Sequence, residues 1–179
     1  MLGIQPPEVA MRRETELIFR GGLFAGFIGY GTIVVLFAAF NLFAGRSIFY
    51  TAAMFGSAMF FGLHDPSLLV ITPAAVLSFN MVHLLVMLTA GFAMSWLVAK
   101  SEKYPLTQWA VLVALLFVGF HLFAAVALFG TPLLGSGAWV GIAVASVAAA
   151  LGMGAFLLRL HPLLRRELRE LVMGDVPHL

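Results

Sequence analysis

The chain has 179 residues, of which 62% are hydrophobic and 10% charged, and its mean hydropathy is +1.04. A water-facing surface normally carries about a quarter charged residues, so this composition excludes an ordinary soluble domain and predicts an all-α, polytopic integral membrane protein. The formal net charge is +2 and cysteine is absent, which excludes disulfides, thiolate metal sites, Fe–S clusters and covalent c-type haem, and gives no reason to expect a nucleic-acid partner.

At about 20 residues per crossing, the chain has room for roughly four helical spans in a single membrane domain, 1–179. Residues 1–20 form a polar arm with Arg12, Arg13, Glu14, Glu16 and Arg20. The apolar run 21–44 is about 36 Å long as a helix, too long for the core of a secretory signal, and is expected to be the first span. Gly22, Gly26 and Gly29 share one stripe on it, where a second backbone can approach closely in lipid. They serve either a dedicated partner or packing within the same bundle, and the second reading carries more weight.

The run 48–63, IFYTAAMFGSAMFFGL, would be about 24 Å long as a helix and falls short of a 30 Å hydrocarbon core. It is expected to be a short interfacial or re-entrant helix on the outer side, with Phe49, Tyr50, Phe55, Phe60 and Phe61 in the headgroup boundary or against a neighbouring subunit. A copper relay through Met54, Met59 and His64 is the weaker reading, because methionine more often fills apolar gaps. Thr72-Pro73 reads as an N-cap followed by proline at the first helical position, opening a second span over 73–99. A short charged turn then leads to a third span over 106–129, antiparallel to the second. The fourth, 138–158, carries two small-residue stripes, Gly141/Ala145/Ala149 and Ser146/Ala150/Gly154, and is expected to pack closely on two sides. The tail, 159–179, places Leu160, Leu164, Leu168 and Leu171 near one face, as an amphipathic helix on the membrane surface would.

Charge orients this antiparallel four-span bundle. The arm, the turn with Lys100 and Lys103, and the tail with Arg159, Arg165, Arg166 and Arg169 fall on one side, and Arg46 alone lies opposite. By the positive-inside rule both termini are cytoplasmic, as in a bacterial inner-membrane protein.

His83 and His121 are the only ionisable side chains deep in an apolar run. His83 lies roughly 15 Å and His121 roughly 13 Å from the outer ends of their helices, so the two are level. Level histidines on adjacent antiparallel helices are what a pair of axial ligands to one b-type haem requires, with Asn80 one turn from His83 as a supporting hydrogen-bonding group. The plainer reading is that hydrogen bonds between helices satisfy the histidines without a cofactor, and on sequence alone it weighs more. Zinc would want three or four ligands, and no carboxylate lies in a span, so no metal site is assigned. All eight acidic residues fall in termini or loops, and nucleophilic, metallohydrolase and nucleotide-binding motifs are absent, so an enzyme or a carboxylate-driven transporter is not expected.

Two functions follow as expectations. The first is a non-catalytic accessory or structural subunit of a larger membrane complex, respiratory or photosynthetic, whose partners are lipids and either other integral subunits or further copies of itself, with no soluble substrate. The alternative is a small b-type cytochrome with bis-histidine ligation. A channel or lipid-binding role has only Asn41, Thr89 and Ser95 behind it.

Overall fold

The computed structural model describes residues 7–101, 114, 116–121, 123, 124, 138–162 and 164–166. Helix is the only regular structure among them, and three helices are long and apolar enough to cross a membrane, consistent with a membrane protein. The helices are α1 (Pro7–Phe43), α2 (Tyr50–Phe60), α3 (Pro73–Ser101) and α4 (Ala138–Leu160), with a 3-10 turn at Pro66–Leu68 between α2 and α3. The expected third span, 106–129, and the tail beyond residue 166 lie largely outside the described residues; residues 114, 116–121, 123 and 124 are helical.

α1 is longer than its apolar run. Its 37 residues extend for about 55 Å, because the charged arm contains good helix formers and no breaker after Pro7, so the helix passes through the change of solvent uninterrupted. It stops where Gly45 takes φ +68°. There the Arg46 amide donates to the Asn41 carbonyl and the Gly45 amide to that of Leu42, the paired closure of a Schellman motif. Asn41 ties this end to α2: its Nδ2 donates to the Ile48 carbonyl at 3.3 Å and its Oδ1 accepts from the Thr51 hydroxyl at 3.0 Å. α3 starts as its sequence predicts, with Thr72 Oγ1 accepting from the Ala75 amide at 3.2 Å and Pro73 at the first helical position.

Glycine sets the spacing of α1 and α3. Gly22 lies against Phe92, and Gly26 against Met87 and Leu88, so the two helices run in opposite directions. A Cβ added to Gly26 would stand 2.8 Å from Leu88 Cα, and one on Gly91 would stand 2.5 Å from the Gly26 amide nitrogen. Gly29 faces the Met87 and Met153 side chains. The glycine stripe is therefore used inside the chain, as the plainer reading expected. α4 packs antiparallel on the neighbouring face of α1, where Phe24 meets Phe156 with centroids 6.2 Å apart and Gly141 faces Phe37 and Phe40. Of its two small-residue stripes, Ala145 and Ala149 are fully buried and Ser146 is buried in the second, but Gly154 faces open space. Close packing thus covers one side fully and the other only in part.

α2 has 11 residues and about 17 Å of length, too little to cross. It is not left to a headgroup layer or a neighbouring subunit for its packing. Phe55 is buried against Phe79 with centroids 5.3 Å apart, and Gly56 lies on the Ala75 carbonyl, so α2 seats on the first turns of α3. Tyr50 is half-buried, while Phe49, Phe60 and Phe61 face outward.

Candidate functional site

Beyond the glycine seam the facing residues become large: Tyr30, Ile33 and Phe37 on α1, and His83, Asn80 and Phe79 on α3. Long side chains at a helix contact leave space between backbones, and a cavity of about 610 Å³ opens here, within the roughly 300–1,000 Å³ typical of cofactor sites. α2 closes one side through Phe55 and Met59, α4 another through Ile142 and Ser146, and His121 reaches it from the helical residues 116–121.

The two histidines converge. Their ring centroids are 6.2 Å apart and their planes stand at 87°. Phe79, one helical turn before His83, lies flat on it at 5.4 Å and 13°, and Tyr30 stands at 5.8 Å. His121 is held by Phe117, 4.5 Å away, whose carbonyl lies 3.3 Å from His121 Nδ1. A carbonyl only accepts, so in this contact Nδ1 carries the proton and Nε2 holds the free lone pair. Neither Nε2 has a hydrogen-bond partner among the described residues, although both are buried.

Asn80 lines the same cavity as His83. Its Oδ1 accepts from the Tyr30 hydroxyl at 2.8 Å and its Nδ2 donates to the Val76 carbonyl at 2.8 Å, so both ends of the amide are used. Tyr30 escaped the sequence reading; the signal was available, because it is the only tyrosine within a run expected to cross the membrane. Ser146, 2% exposed, was known only as a small residue and lines the same cavity.

The remaining sequence candidates lie elsewhere or are spent locally, except Met59, which lines the cavity. Met54 and Met59 belong to the apolar cluster around Phe55. Thr89 donates to the Leu85 carbonyl of its own helix at 2.9 Å, and Ser95 is fully buried at the glycine end with its hydroxyl unpartnered. No group of three His, Asp or Glu side chains gathers among the described residues. The site therefore offers two imidazole nitrogens in an aromatic, largely apolar chamber. Such a chamber suits a flat apolar ring system with a metal at its centre better than a hydrated ion. Comparison with known protein families, with characterised proteins and with solved structures finds no match.

Proposed function

We propose that this chain is a small b-type cytochrome of the membrane, in which His83 and His121 are the axial ligands of one haem and the protein carries single electrons within the bilayer. The observation that carries this reading is the pair of buried Nε2 atoms without partners among the described residues, on rings 6.2 Å apart. Buried polar nitrogens are normally hydrogen-bonded, and leaving one unsatisfied costs about 1–3 kcal/mol, so two in one chamber call for a ligand. With centroids 6.2 Å apart, the two imidazoles are close enough that one bound group would be held by both. Ligation from both sides closes the coordination sphere, which favours electron transfer over binding of a small substrate at the iron.

The reading includes a four-span antiparallel bundle. Both α3 and α4 run opposite to α1; the chain leaves α3 at the end where α1 begins and enters α4 at the end where α1 finishes. This supports a further crossing between them, the span expected at 106–129. The clustering of basic residues at the start of α1 and the end of α4 supports cytoplasmic termini in a bacterial inner membrane. Membership of a larger membrane assembly, with the chain as a subunit that passes electrons and performs no catalysis, is a compatible second reading. It is favoured by Phe60 at the end of α2 and by Phe61, Leu68 and Val70 on the connection to α3, which stay exposed outside the long apolar helices.

The test is a reduced-minus-oxidised absorption spectrum of the full chain, purified gently from haem-sufficient cells. A sharp low-spin haem signal is expected, and His83→Ala or His121→Ala should each abolish it. A flat spectrum, or full retention of haem in both variants, would overturn the reading and return the histidines to a packing role.

A further inference from the structure

At the other end of the molecule a second cleft, of about 490 Å³, lies between the first half of α1 and the last turns of α4. Arg13, Leu17, Arg20 and Phe24 face it from α1, at helical spacings of four, three and four residues, and Phe156 and Leu160 face it from α4. Its chemistry is divided by depth. The two guanidinium groups stand where α1 changes from charged to apolar residues, at the boundary between water and hydrocarbon, and the aromatic and leucine side chains line the part below.

A cleft with cations at the rim and an apolar floor open to lipid matches a lipid with an anionic head. Glu16 is the one acidic group in the lining, 3.9 Å from Arg20, and both side chains are about two-thirds exposed. An exposed pair of this kind is weakly held, so the Arg20 guanidinium is free to turn to a phosphate. Glu16 in turn can accept hydrogen bonds from hydroxyl groups on the head. Arg12, Arg159 and Arg165 are exposed at the same end and add positive potential, whereas Arg46 lies at the opposite end.

We propose that this cleft is a binding site for an anionic glycerophospholipid with a hydroxylated head, its phosphate on Arg13 and Arg20 and an acyl chain along Phe24, Phe156 and Leu160. The site is independent of the haem reading and needs only that the chain sits in a bilayer.

The full chain in mild detergent is offered phosphatidylglycerol, phosphatidylcholine and phosphatidylethanolamine of identical acyl composition, and glycerol 1-phosphate as the head alone. Bound molecules are counted by native mass spectrometry. Phosphatidylglycerol should be retained best, and each arginine removed in Arg13→Gln and Arg20→Gln should weaken it about fivefold. Arg13→Lys/Arg20→Lys should keep much of the preference, and Arg46→Gln should leave it unchanged. Matched thermal midpoints confirm that the variants fold. Equal retention of the three lipids, a preference that survives Arg13→Gln/Arg20→Gln, or binding of glycerol 1-phosphate as tight as that of the lipid would overturn the proposal.

Discussion

α1 and α3 meet through glycines at one end and through long side chains around a cavity at the other. At the first end Gly22, Gly26 and Gly91 bring main chain against main chain, and the fully buried Ala25 continues the seam. At the second, Tyr30, Phe79 and His83 stand in the equivalent positions and the contact opens into about 610 Å³. Lipid supplies no hydrophobic force between helices, so association depends on close packing and on polar bonds between helices. The glycine end provides the packing. Among the described residues the cavity end joins α1 to α3 through the bond of Tyr30 to Asn80 and leaves two nitrogens without partners. One pair of helices thus joins a closely packed end to an open one along its length.

The division is broken most sharply at Gly91. Any side chain there meets the Gly22 carbonyl and the Gly26 backbone, which cannot give way as a flexible side chain would. Gly91→Leu should destabilise the chain by about 3 kcal/mol, at the upper end of overpacking costs, and deplete folded protein. Gly31 meets nothing among the described residues, and Gly31→Ala should change stability by no more than about 0.5 kcal/mol. Denaturation midpoints in one detergent compare the two; equal tolerance would mean that the seam does not hold the helices together.

At the cavity end the opposite sign is expected. In the haem-free chain His83→Leu replaces an unpartnered buried nitrogen by an apolar group of similar size, and should raise stability by about 1–2 kcal/mol. The same substitution should eliminate haem binding. The comparison has to be made on haem-free protein, because a ligand bound only to the folded state adds stability of its own. A loss of stability in haem-free His83→Leu would show that the imidazole has a structural partner and would weaken the cytochrome reading.

How much of this was legible in the sequence depends on whether a feature is local. The length of an apolar run says whether a helix can cross, which is why α3 and α4 match their runs closely and α2 was expected not to cross. Thr72-Pro73 is a local signal, and α3 starts there. Two histidines at equal depth could be placed level from the rise of a helix alone. Rotation about the helix axis leaves no such trace in one sequence. The contact of Gly26 with residues 87 and 88, the packing of Phe55 on Phe79 and the Tyr30 bond to Asn80 each join residues 24 to 62 positions apart. The Tyr30 partner of Asn80 was unforeseen for that reason: proximity along the helix pointed to His83, while this bond comes from another helix. The upstream extension of α1 was missed because an apolar run measures the solvent around a helix, and the helix outlasts it.

The smallest effect belongs to the loop that carries the chain from α2 into α3, on the cavity side of the divide. Asp65 Oδ1 accepts from the Ser67 amide at 2.9 Å and caps the turn Pro66–Leu68. Hydrogen bonds from the Ser67 backbone and side chain favour the charged carboxylate and hold Asp65 below its ordinary value of 3.8. A depressed carboxyl value means that the folded loop binds fewer protons than the unfolded one. Its contribution is fully present above the ordinary range and fades as pH falls below about 3.8 toward the depressed value. Asp65→Asn keeps an oxygen to accept from Ser67 but cannot titrate, so the cap should survive with its pH dependence removed. Amide exchange at Ser67, followed from neutral pH down to acid and corrected for intrinsic rates, should show protection declining in the parent chain and level in Asp65→Asn. Because the group is fully exposed, the global midpoint should hardly move. If the midpoint followed the titration of Asp65, the loop would be holding the bundle together, and stability could no longer be assigned mainly to the glycine end.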